Sequence, residues 1–330
     1  MTNASTMILL AGALRYSPLR KQLDVPVLAL PLAPSYLLLN AWLERLSDAP
    51  ALRKLVVVVN SHADAKLLQV LAEPMERPAG LELDVMVDPA PWRGPGGLIY
   101  DICSRWEAPE SVLVGEAACL PPRDAAQFAV AVAQSSGSGL VASTPSRQPA
   151  GLYAFSREAV AAIPSVGYFD IKEQLLPRLY EDGLEVRAVP MEDEVQRVRT
   201  RAGYLDAVQA AQADRASRQD PAEPGGNDSA DGLHCAESAQ IAGTSVIQPG
   251  VIIEDGAVVH DSVICSGARV GRGAIVSRSV IGPQAVVRPH EKMVRRVVDG
   301  GSVESPANLP AQHAVVNGEN REAPLTGGRT

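Results

Sequence analysis

The chain has 330 residues, a formal net charge of −8 and 46% hydrophobic residues, enough for two domains with sizeable cores. The acidic balance, with no Lys/Arg run, excludes a broad nucleic-acid footprint. No basic-then-apolar leader opens the chain, and the uncharged stretch 25–43 is broken by Pro26, Pro31 and Pro34, so neither a secretory signal nor a spanning helix is expected.

Met7-Ile8-Leu9-Leu10 followed by Ala11-Gly12 predicts a buried strand ending in a turn. Helical spacing follows over 36–46. Valine-rich 55–59 predicts a second buried strand, 61–71 a helix with Ser61 as N-cap, and 81–87 a third strand. Trp92-Arg93-Gly94-Pro95-Gly96-Gly97 reads as a turn opening a helix that runs to 106. Strands are predicted over 112–114, stopped by Gly115-Glu116, and over 139–143, 152–155 and 185–189. Helices are predicted over 170–182, with Pro177 as a kink and Gly183 as C-cap, and over 203–218. Alternation of strands and helices implies a mostly parallel sheet covered on both faces. The polar, breaker-rich segment 220–232 is expected to be a linker. The tail from 298 is expected to be disordered.

Between them lies a repeat. Ser-Val-Ile occurs at 245–247, 262–264 and 279–281, each 17 residues after the last. Aliphatics recur at Ile241, Ile247, Ile253, Val259, Ile264, Val270, Val276, Ile281 and Val287, in steps of six with a five at Ile264 and Ile281. Two positions before each sits Ala or Ser, except at Val251. Neither a helix nor a hairpin has this period. It fits a chain winding round a triangular prism, with aliphatics inward, small residues where the interior is narrow, and Gly250, Gly256, Gly267, Gly271 and Gly273 at turns. This pattern resembles the hexapeptide-repeat parallel β-helices, whose known members wind left-handed. The expected organisation is an α/β domain over 1–219, a linker over 220–232, about three coils over 233–297, and the tail. The four scattered cysteines, Cys103, Cys119, Cys235 and Cys265, read as free thiols of a reducing cytoplasm, with Cys265 at a coil corner.

An α/β domain opening on strand-Ala-Gly, followed by such a solenoid, resembles the sugar-phosphate nucleotidyltransferases. Over about 7–295, Leu10-Ala11-Gly12 with Arg15 and Pro18-Leu19 echoes that family's opening signature. Arg93-Gly94-Pro95-Gly96-Gly97-Leu98 is similar to its second glycine turn. Val112-Leu113-Val114-Gly115-Glu116 is similar to its strand ending in Gly-Asp, and Ala150 to Phe155 to its Asn-Ala-Gly strand. Phe169-Asp170-Ile171-Lys172-Glu173-Gln174-Leu175-Leu176-Pro177 matches best; Thr200 and Tyr204-Leu205 echo the last motif. The resemblance implies a Rossmann-like α/β fold of the nucleotide-diphospho-sugar transferase type. It also implies joining of a nucleoside triphosphate to a sugar 1-phosphate with release of pyrophosphate, with Mg2+ if active.

Such chemistry needs a backbone cradle for phosphates, carboxylates holding a metal, and a cation beside the attacked phosphorus. Here the first loop is two residues short, Val27 stands at the expected lysine, and Arg197 falls where the resemblance places a second aspartate. Glu116 replaces the first aspartate, as a weak metal ligand, and Pro149 replaces the asparagine. Arg15 and Lys21 are the candidate catalytic cations, with Arg20 beside them; Lys172 reads as a helix surface residue. Leu10, Ala11, Gly12, Gly96 and Gly97 are the candidate nucleotide-binding positions. The resulting expectation is a cytoplasmic pseudoenzyme that binds a nucleotide or nucleotide sugar. It would act as a regulatory or scaffold subunit, as a homo-oligomer or with an active relative. Two alternatives stand beside it. One is an active enzyme using Arg15, Lys21 and Glu116. The other is an acyltransferase using His260 or His290 of the coil turns.

Overall fold

A computed structural model describes residues 6–12, 17–49, 52–105, 111–135, 137–218 and 234–300. The expected linker and tail therefore lie outside the described residues, apart from 298–300.

The α/β part begins with β1 (Thr6–Leu10) and α1 (Pro18–Leu23), then a one-turn helix Val27–Ala29 and a small hairpin of Pro31–Ala33 and Tyr36–Leu37. Next come α2 (Leu38–Arg45), β2 (Lys54–Val59), α3 (His62–Ala72), β3 (Glu82–Val87), α4 (Gly94–Arg105) and β4 (Ser111–Glu116). The part closes with α5 (Ala125–Gln134), β5 (Gly139–Ser143), β6 (Pro149–Ser156), α6 (Arg157–Ala161), α7 (Leu176–Glu181), β7 (Val186–Pro190) and α8 (Arg201–Ser217). Hydroxyls start four of the helices: Ser17, Ser61, Ser156 and Thr200 each accept the N–H of the residue three further on. The sequence reading assigned no element to 18–23, 125–134 or 157–161, and its helix over 36–46 begins only at Leu38, after a short strand.

The seven strands form one sheet in the order β3-β2-β1-β4-β6-β5-β7. Pairing is parallel except where β6 meets β4 and β5. The exception has a simple cause: the 144–148 connection is too short for a crossover, so β6 must return antiparallel. Successive residues of β1 and β2 enter opposite cores. Met7, Leu9, Leu55 and Val57 join one, and Ile8, Leu10, Val56 and Val58 join the other.

From His234 the chain forms three parallel sheets of four strands each, the faces of a prism. Ile253, Val259, Ile264, Val270, Val276 and Ile281 are at most 1% exposed and fill its interior. The repeat thus makes four coils where the aliphatic pattern suggested about three. The outer coils place Cys235, Met293 and Val298 at inward positions that the pattern did not flag. Of the five turn glycines, Gly250, Gly256, Gly267 and Gly273 hold φ between 63° and 76°. Gly271 does not; a Cβ there would lie 2.6 Å from Pro289 N, so close coil packing selects it instead.

Serine in Ser-Val-Ile is more than a small residue. Ser262 N–H donates to Ser245 Oγ at 3.3 Å, Ser279 N–H to Ser262 Oγ at 3.0 Å, and Arg296 N–H to Ser279 Oγ at 3.0 Å. Each hydroxyl donates onward to a backbone carbonyl, at Ala242, His260 and Ser277. Ser262 and Ser279 are 0% exposed, so the ladder satisfies donors that water cannot reach. Ser262→Ala removes the acceptor of a buried N–H and should cost about 1–3 kcal/mol in urea denaturation. Ser266→Ala, at an exposed position of the next turn, should cost close to nothing; equal losses would refute the ladder's role.

The two parts share a core. Val246, Val263 and Val280, the middle residues of the tripeptides, are 0% exposed and cluster with Leu19, Leu28, Leu32 and Tyr204 of the α/β part. The following isoleucines point into the prism. Cys265 belongs to this shared core too, and is 2% exposed; burial pushes its thiol up to about 12. The coil corner expected for it is thus covered by the α/β part. The described residues up to Gly300 pack as one compact unit. None of their helices is long and apolar enough to cross a membrane.

Candidate ligand cleft at the strand ends

In chain order the sheet grows from β1 outward through β2 and β3, then jumps to β4 on the other side of β1. At such a reversal the connections on the two sides diverge, leaving a crevice beyond the carboxyl ends of the strands. A cavity of about 440 Å³ lies there. Leu10 of β1, Gly12, Asn60 after β2, Asp88 after β3 and Glu116 at the end of β4 line it. Gly94, Pro95 and Leu98 at the start of α4 form another wall, continued by Tyr168 and 170–173 beside them.

Gly12 lets Asn60 come close: a Cβ would lie 2.6 Å from Asn60 Oδ1 and would push that side chain aside. Ala11 N–H is already used by Leu9 and Val58 carbonyls, at 3.1 and 2.8 Å. Gly96 N–H donates to Phe169 O at 2.8 Å, and Phe169 N–H to Arg93 O at 2.8 Å. The two segments are laced together, so Gly96 and Gly97 sit behind the wall and Gly94 and Pro95 face the cavity in their place. Arg93, 4% exposed, clamps the same region: it holds both carboxylate oxygens of Asp101 and the Gly167 and Pro164 carbonyls.

Arg15 lies outside the described residues. Lys21 is exposed on α1 and does not line the cavity. Arg20 is tied to Asp64 at 2.8 Å, so it is not the exposed companion of Lys21 that the sequence suggested. Val27 is 5% exposed in the core.

The centre of the site is Glu116. Lys172 Nζ lies 2.7 Å from its Oε1, Arg197 Nη1 3.0 Å from Oε2, and Arg199 Nη2 3.2 Å from Oε2. Tyr153 O–H donates to Oε1 at 3.0 Å. Burial opposes ionisation of this carboxyl, but the hydrogen bond and charge of Lys172, then Arg197 and Tyr153, outweigh it and hold the group below its ordinary value. Lys172 is therefore no mere surface residue. Asp170 Oδ1 accepts the N–H of Lys172 at 2.7 Å and of Glu173 at 3.0 Å, and a wide π-type turn, Ile171–Leu175, follows. Arg197 comes from a segment held beside 118–120 by Leu120 N–H to Gln196 O and Val198 N–H to Ala118 O, each 2.9 Å.

These residues do not fit a magnesium ion. Both oxygens of Glu116 are engaged by fixed cations, and a divalent ion beside it would meet three like charges. Among the described residues no group of three or more His, Cys, Asp or Glu could hold a metal. Position 197, where the resemblance placed the second carboxylate, does meet Glu116, but as arginine.

Sequence reasoning did not single out Asn60, Asp88, Tyr153 or Arg199. One readable signal was the basic pair Arg197 and Arg199 flanking Val198, which is 1% exposed. In the prism, His260 Nδ1 lies 3.1 Å from Asp261 Oδ2 on an exposed turn. His290 sits at φ 60° over Gly273 of the preceding coil.

The family model described as GlmU-like, C-terminal hexapeptide, matches residues 232–310, the stretch containing the four coils. A search of curated proteins finds no match to the chain.

Proposed function

We propose that this chain is a nucleotidyltransferase-like protein that retains a ligand cleft but not turnover. On this reading it binds a nucleotide or nucleotide sugar and serves as a regulatory or scaffold subunit, in a homo-oligomer or beside an active relative. The observation that carries the reading is the state of Glu116: the carboxylate that the resemblance makes a metal ligand is met instead by Lys172, Arg197 and Arg199. The sheet order and the position of the cavity support a ligand at the strand ends. Thermal unfolding should shift upward with nucleoside phosphates or nucleotide sugars, because a ligand of the native state stabilises it by mass action. Pyrophosphate release from a panel of nucleoside triphosphates and sugar 1-phosphates should stay at the blank. Release that disappears in Glu116→Ala would establish the active enzyme instead.

A second reading, an acyltransferase, draws support from the GlmU-like hexapeptide match and from the His260–Asp261 pair. An imidazole oriented by a carboxylate has the form of a general base. Acyl transfer from acyl-CoA, lost in His260→Asn while acyl-CoA binding in calorimetry persists, would establish that activity.

A further inference from the structure

We propose that the cleft holds the phosphate of its ligand directly on Lys172 and Arg199, without a divalent cation. This rests on reading the cleft as a site for phosphorylated ligands and states how such a ligand is gripped.

Three cations surround one carboxylate, so this ion-pair cluster taken by itself carries a surplus of two positive charges. Arg197 is fully tethered in this arrangement. Its second nitrogen donates to Pro149 O at 2.9 Å, and it does not line the cavity. Lys172 and Arg199 do line it, with side chains 39% and 46% exposed. An ammonium has three donors and a guanidinium five; toward Glu116 each side chain directs one of them. Glu116 thereby holds both heads in place before any ligand arrives, which lowers the ordering cost of binding. The other acids of the cavity are Asp88, Asp170 and Glu173. Asp170 and Glu173 neighbour Lys172 in the chain, but Lys172 and Arg199 are the cations among the lining side chains, so the contacts to an anion fall to them. Asp170 also fixes the turn that carries Lys172. The same charges that repel magnesium therefore supply what magnesium would supply to a phosphate: a fixed positive field and hydrogen-bond donors.

The test is calorimetry on the full chain with inorganic pyrophosphate, ADP and UDP as probes, in excess EDTA and in magnesium. We expect binding in EDTA at least as tight as in magnesium, weakening with salt. Lys172→Gln and Arg199→Gln should each lose roughly tenfold or more in affinity, the worth of one charged hydrogen bond. Lys172→Arg, which keeps the charge, should restore most of it and controls for folding. Binding that requires magnesium, or is unchanged in both glutamine variants, overturns the inference while the cleft reading stands. No binding of any probe in either condition sinks both.

Discussion

Val263→Asp should unfold the whole molecule rather than its solenoid alone, lowering stability by about 5 kcal/mol or more. Its side chain is 0% exposed in a cluster that includes Leu28, Leu32 and Tyr204. The substitution forfeits roughly 1.5–3 kcal/mol of apolar burial and leaves an unpaired carboxylate where solvation is lost, a further several kcal/mol. Far-ultraviolet circular dichroism at a helix wavelength should report the same loss as a probe of the prism, since both parts depend on one core. Val286→Asp is the matched control. It lies in the same prism on a face where the side chain is 52% exposed, and should change stability by no more than about 0.5 kcal/mol. Equal effects of the two variants would mean that the valine face is not structural.

The second large effect is at Glu116. Glu116→Gln keeps the shape but leaves three cations without a counter-charge, and should cost about 2–3 kcal/mol. The figure is below that for a fully buried pair because Lys172 and Arg199 are partly solvated. Adding Arg197→Gln should recover part of the loss. The pH dependence gives an independent reading. A carboxyl held below its ordinary value of 4.5 in the folded state adds stability above that value. That stability is lost as pH falls through the lower, folded-state value. Wild type should therefore weaken on the acid side of 4.5 more steeply than Glu116→Gln. Identical acid slopes would show that the cations do not stabilise the ionised form.

Much of the site was legible only as a set of substitutions. Position 116 was recognisable because a strand ended there in Gly-Glu, and position 197 because it stood where a second acid was expected. That the two side chains meet at 3.0 Å is a fact of tertiary packing. The distance along the chain is bridged by the pairing of 196–198 with 118–120, which leaves no periodic trace. Lys172 shows the same limit from the other direction. A lysine in a helical pattern reads as surface, and only the turn fixed by Asp170 brings it to Glu116. Gly96 and Gly97 show the opposite: glycine marks close approach, and the approaching groups are Phe169 at Gly96 and Arg93 at Gly97.

The sequence by itself determined the strands, most of the helices and the winding of the prism. Those depend on local periodicity: valine runs bury on both sides of a sheet, and a six-residue step can only turn a corner after each short strand. It also carried the face on which the prism docks, since valine stands at the outward position of that face in every coil, at 246, 263, 280 and 297. The corresponding outward residues of another face are Ile252, Arg269 and Val286. Only the tertiary structure decided what covers those valines and which charges converge on Glu116. Both depend on contacts between residues tens of positions apart, where side-chain identity constrains the chemistry of a partner but not its address.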